Sequence, residues 1–122
     1  MKVIQRKLKL KEIDYYLTHL RLINAVLEVK LTETQIEVLA AFMSLDHKIT
    51  GTDMFNTYAR KLVKTNLNMS AASLSNHLGA LLVKQFLVKD EITGRIHIKE
   101  YFLPENNVQG YQFGIIKEKD ET

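Results

Sequence analysis

The sequence predicts an α+β domain, mostly helical, ending in a C-terminal β-hairpin or small antiparallel sheet. Three observations carry this. Apolar residues recur at helical spacing from Glu12 to about Gln85, with capping signals where the pattern restarts. The period then falls to two in "FLVKDE" and "RIHIKEYFL", with "ITG" as the turn between them. At 122 residues the chain suits a single domain with a real core and is short for two.

Residues 1–10 alternate Val3, Gln5 and Lys7 against Ile4, Arg6 and Leu8, so they read as a short edge strand or an extended arm. The helical part spans residues 12–85. Ile13, Tyr16, Leu17, Leu20, Ile23 and Leu27 form a stripe that Tyr15, Leu22 and Val26 widen. A stripe this broad suits a central core helix or a dimer-forming one. "LTETQI" starts the second helix: Thr32 is the N-cap, Gln35 completes a capping box, and Leu31 with Ile36 forms a hydrophobic staple. Ile36, Leu39, Ala40 and Met43, with Val38 and Phe42 beside them, then face the core. "SLDHKITG" leads to a third helix, "TDMFNTYARKLVKT", with Met54, Phe55, Tyr58 and Leu62 inside and Arg60, Lys61 and Lys64 outside.

After "NLN" a fourth helix spans residues 70–85. Ser70 caps it, Met69 and Leu74 staple it, and Leu74, Leu78, Leu81 and Leu82 form its core stripe. In the following hairpin Ile96 and Ile98 oppose Arg95, His97 and Lys99, the pattern of a half-exposed strand. Pro104 ends it, "ENNVQG" reads as a loop, and "YQFGIIK" as a terminal strand, so residues 86–117 hold two or three strands.

Cysteine is absent, which rules out disulfides and thiolate metal sites and fits a reducing, cytoplasmic setting. No apolar run approaches the roughly 18–20 residues of a membrane span, and the charged N-terminus lacks a signal-peptide core. The net charge of +3 is unevenly spread: Lys2, Arg6, Lys7, Lys9 and Lys11 occur with no acid among residues 1–11. From Asp53 to Lys89, the bases Arg60, Lys61, Lys64, Lys84 and Lys89 face Asp53 alone. Such asymmetry suits a polyanionic partner.

Helices followed by a hairpin form the winged helix-turn-helix arrangement, and residues 31–100 resemble the MarR-like regulators of that class. "LTETQIEVLAAFMSL" is similar to their second helix, with its Leu-Thr-x-x-Gln-x-x-Val-Leu pattern, and "SAASLSNHLGALLVKQFLVKDE" to their recognition helix running into the first wing strand. Gln85 stands where that family often has Gly, which implies a C-cap made by Gln85 in a left-handed conformation. No C-terminal helix follows the wing in this sequence, so the family's effector cleft is not carried over.

The resemblance implies sequence-specific binding of double-stranded DNA, by a small transcriptional regulator acting as a homodimer. The recognition helix would lie in the major groove with its first turns nearest the bases. Ala71, Ala72 and Gly79 would allow close approach, while Ser70, Ser73, Ser75, Asn76 and His77 would meet phosphates or base edges, Asn favouring adenine. Arg60, Lys61 and Lys64 would anchor the backbone, and Arg95 would serve the wing at the minor groove or its phosphates. Two readings compete. One is a winged-helix protein-interaction module of a replication, transcription or partition complex, and the other a dimeric scaffold working through its first helix.

Enzymatic, cofactor and metal chemistry have no support in the pattern. His19, His47, His77 and His97 fall on four different elements, each reading as a surface or half-buried side chain. Asp90 and Glu91 read as strand neighbours pointing to opposite faces, unlike an acid/base pair. The core stripe yields a direct expectation. Leu81→Ala should lower unfolding free energy by roughly 2–5 kcal/mol in urea titration, and a near-neutral result would take Leu81 out of the core.

Overall fold

The structure, a computed structural model, describes residues 1–105 and 108–118. Its elements are α1 (Glu12–Asn24), α2 (Glu33–Met43), α3 (His47–Thr50), α4 (Thr57–Asn66), α5 (Ala71–Val83), β1 (Leu87–Lys89), β2 (Ile96–Ile98) and a 3-10 turn, Glu100–Phe102. The class is α+β and mostly helical, with one two-stranded antiparallel sheet.

Helix α2 is the axis of the fold: eight of its eleven residues are buried, and α1, α4 and α5 all pack on it. Its start is local chemistry. Thr32 Oγ1 accepts from the Gln35 amide at 3.2 Å, and Gln35 Oε1 accepts from the Thr32 amide at 2.9 Å. Leu31 and Ile36, the staple, are both buried. The same Gln35 oxygen also accepts from Lys84 Nζ at 2.8 Å, and that ammonium donates to the Lys30 carbonyl at 2.8 Å. Lys84 therefore ties the end of α5 to the start of α2 and is not a free base. In the α1–α2 connection, Asn24 Oδ1 accepts from the Leu31 amide at 2.7 Å and Asn24 Nδ2 donates to the Leu31 carbonyl at 3.2 Å.

The third expected helix is split. Asp46 caps the short α3, accepting from the Lys48 amide at 2.8 Å. Helix α4 starts only at Thr57, because Asn56 is its cap: Oδ1 accepts from the Ala59 amide at 2.8 Å. Asn56 Nδ2 meanwhile donates to the carbonyls of Ile49 at 2.9 Å and Asp53 at 3.0 Å, anchoring that start to α3. The buried face becomes Phe55, Ala59 and Val63, with Phe55 against Phe42 at a ring separation of 4.6 Å. Tyr58, expected inside, is exposed, and Met54 and Leu62 are half-buried.

A turn over Leu67–Met69, with Asn68 at φ 51°, leads to Ser70, whose Oγ accepts from the Ser73 amide at 3.0 Å. Leu74, Leu78 and Leu81 are buried and Leu82 is half-buried. The helix closes in a Schellman motif. The Phe86 amide donates to the Leu81 carbonyl and the Gln85 amide to the Leu82 carbonyl, both at 3.0 Å, with Gln85 at φ 65°. This reversal drops Phe86 and Leu87 into the core and sets the hairpin register Leu87↔Ile98, Val88↔His97, Lys89↔Ile96.

The hairpin is shorter than its alternation suggests. Asp90 and Glu91 lie in the turn rather than on a strand: Asp90 Oδ1 accepts the amides of Ile92 at 2.8 Å and Thr93 at 3.0 Å. Beyond Ile98 the chain tightens into the 3-10 turn, whose Phe102 packs on Phe86 at 4.4 Å.

Residues 1–10 form an exposed arm without strand, and the expected terminal strand at residues 111–117 is not formed either. A strand needs a partner for its backbone groups, and neither segment has one among the described residues. Parts of the loop read at "ENNVQG" (residues 106 and 107) lie outside the described residues.

The C-terminal segment is instead fastened to α1. Tyr15 Oη donates to the Glu105 carbonyl at 3.0 Å, and His19 Nε2 lies 2.7 Å from the Phe102 carbonyl. A carbonyl only accepts, so Nε2 carries the proton and Nδ1 accepts from the Tyr111 hydroxyl. His19 is thus buried and not at the surface as its sequence context suggests. Burial lowers its pKa from the usual 6.5, against the opposing hydrogen bond to Phe102. Burial also pushes the Tyr111 hydroxyl up to about 12, keeping it a donor.

Two expectations follow from these contacts. Gln85→Gly removes a left-handed side-chain penalty and should raise unfolding free energy by about 1 kcal/mol in urea titration; unchanged or lower stability would contradict the cost assigned to that conformation. For His19 the folded state resists protonation, so the unfolded chain binds more protons as pH falls through 6.5. Its contribution is complete above that pH and is lost toward the lower folded-state value. Urea titrations at pH 8 and pH 5 should show this loss in the wild type and a smaller one in His19→Gln, while equal losses would contradict it.

Candidate nucleic-acid interface

The exposed side of α5 is built from short side chains. Ala71, Ala72, Ser75 and Asn76 are exposed on its first two turns, with Ser73 and His77 half-buried. Ala72, Ser75 and Asn76 lie at i, i+3 and i+4, so they share one face. Ser70 is exposed, but its oxygen already accepts from the Ser73 amide, which leaves its hydroxyl proton to donate outward. The amides of Ala71 and Ala72 are the remaining open donors at this helix start. Gly79 has no internal packing reason, since a Cβ there would meet nothing within 4 Å.

The expected bases differ in their surroundings. Arg60 donates from Nε to the Phe55 carbonyl at 2.7 Å, which holds its guanidinium beside the first turn of α4. Lys61 is exposed and Lys64 half-buried. Arg95, thirty-five positions after Arg60, is brought to it by the fold: both line a cleft of about 360 Å³ with Asp53, Asn56, Thr57 and Gly94. Each guanidinium is without a carboxylate partner among the described residues, where the ion pair found is Arg21–Glu33 at the surface.

Beside it lies a second cleft, about 490 Å³, between the α3–α4 connection and the hairpin. His47, His97, Asp53, Asp90 and Arg95 line it over Met54 and Ile98. This gathering of two histidines and two aspartates was not legible in the sequence, where the four are spread over fifty residues. No group of three metal-capable side chains occurs among the described residues. Amide donation, from Thr93 first and then Ile92, holds the Asp90 carboxyl below the usual carboxylate range, so it stays ionised and keeps the hairpin tip ordered. Ile92 stands at that tip almost fully exposed.

The ten expected contact residues thus fall into two groups. Ser70, Ala72, Ser73, Ser75, Asn76 and His77 lie along the first half of α5, and Arg60 and Arg95 meet at the cleft between α4 and the hairpin. Lys61 and Lys64 are on α4 outside that cleft. No acidic residue occurs from Met54 to Lys89, the stretch holding α4, α5 and the first strand. No described helix is long and apolar enough to cross a membrane. Comparison with protein-family models, curated proteins and solved structures finds no match for the chain.

Proposed function

We propose that the chain binds double-stranded DNA as a winged helix-turn-helix, the first half of α5 entering the major groove and the hairpin lying on the flanking backbone or minor groove. The observation that carries this is the acid-free unit from Met54 to Lys89, in which α5 turns outward a face of Ala, Ser and Asn. Short side chains let a helix sit close to base edges. Asn76 supplies the paired donor and acceptor that read adenine, and the open amides of Ala71 and Ala72 suit a phosphate. Arg60 and Arg95, converging from two elements, supply charge to the phosphates beside the groove.

A small transcriptional regulator is the role this reading favours. One such domain covers few bases, so useful specificity at cellular salt calls for two copies on two half-sites.

The test is fluorescence anisotropy against labelled mixed-sequence duplex across a salt series. Affinity should fall with salt, and the Arg60→Ala/Lys61→Ala/Lys64→Ala variant should flatten the log–log slope by roughly 2–3. On a site selected from random sequence, Asn76→Ala should cost roughly 1–3 kcal/mol. A folded protein with no binding at low salt contradicts the proposal and turns attention to protein partners.

A further inference from the structure

The two ends of the chain carry a strand pattern that this fold leaves unpaired. In the arm, Leu8 and Leu10 alternate with Lys7, Lys9 and Lys11; in the C-terminal segment, Tyr111, Phe113 and Ile115 alternate with Gln112 and Gly114. Neither forms a ladder, and residues 1–10 and 112–118 make no hydrogen bond to other described residues. Their apolar side chains stand in water: Ile4 is 75% exposed, Leu8 73%, Ile115 99% and Ile116 90%. Between them α1 keeps Ile13 and Leu22 exposed on a helix whose other side is committed to α2. Apolar exposure concentrated in this way marks an interaction site.

We propose that these segments pair between two copies of the chain. The partner is a second copy related by a two-fold axis across α1, with the arm of each protomer laid against residues 112–118 of the other. Charge selects this pairing. Two arms side by side would set Lys2, Arg6, Lys7, Lys9 and Lys11 against the same five bases, with no acid to offset them. The C-terminal segment ends in "KEKDET", where three acids outnumber two bases.

Geometry favours exchange over pairing within one chain. The arm leaves at Lys11, the N-terminal end of α1. The C-terminal segment is held at Tyr15 by Glu105 and at His19 by Tyr111, so it travels toward the other end of the helix. Lys11 and His19 are about 12 Å apart along the axis, at roughly 1.5 Å per residue. Across a two-fold axis the two α1 helices run antiparallel, and the partner's arm then starts near the end of α1 toward which this segment heads. The contact is isologous and closed, each edge being covered once.

The absence of cysteine makes the test clean. Chains carrying Leu8→Cys alone and Ile115→Cys alone are mixed, treated with a short bismaleimide and resolved by mass. Sedimentation equilibrium of the unmodified chain runs beside them. The proposal expects a mass twice 14.1 kDa in solution and cross-linked dimers that join one variant to the other. An Ile4→Lys/Leu8→Lys variant, altered only where nothing supports the fold, should keep its circular dichroism and weaken self-association at least about a hundredfold. A monomer at high micromolar concentration overturns the proposal. So does a dimer whose cross-links join like to like, or a Leu8→Cys/Ile115→Cys chain that closes only on itself. None of these readouts involves DNA, so the proposal stands or falls apart from the preceding one.

Discussion

The packing of α2 is the constraint on which the other elements depend. With Val38, Leu39, Ala40 and Phe42 wholly out of water, this helix has no side to spare for solvent or ligand. Helices α1, α4 and α5 must cover it, and each keeps one face free as a result. Phe42 against Phe55 fixes the α4 side, while the Gln35–Lys84 hydrogen bond fixes the far end of α5. Because α5 is held at that end, its first turns and their short side chains project away from the core. The outward face is what remains once α2 has been buried.

What was legible in the sequence is what is decided locally. The Thr32–Gln35 capping box and the Ser70 cap each involve residues three apart, so their identity suffices to place them. The Gln85 reversal was legible for a similar reason: a core stripe ending at Leu82 and an apolar Phe86–Leu87 pair leave one residue to turn the chain. The start of α4 was not, because Asp53 and Asn56 are both capable caps. Carbonyls of Ile49 and Asp53, placed by α3, decide for Asn56. Shifting that start by one turn moved the buried face from Tyr58 to Ala59 and Val63. Lys84 looked like a free base because its acceptor lies forty-nine positions earlier.

The same distinction runs through the candidate site. The α5 face could be read from spacing alone, since one helix presents it. The meeting of Arg60 with Arg95, and of His47 with His97, is tertiary and invisible to periodicity. At the chain ends the failure is more informative. Alternation correctly marks residues suited to strands, yet a ladder needs a second strand, and the protomer offers none among its described residues.

The central claim is that nucleic acid meets the first half of α5 and the hairpin. Amide chemical-shift mapping with a short duplex tests it most directly. The account predicts perturbations concentrated at residues 70–77, at Arg60 and at Ile92–Arg95, with α1 and the chain ends unmoved once the protein's association state is held constant. Shifts confined to α1 and the termini, with residues 70–77 silent, would contradict it.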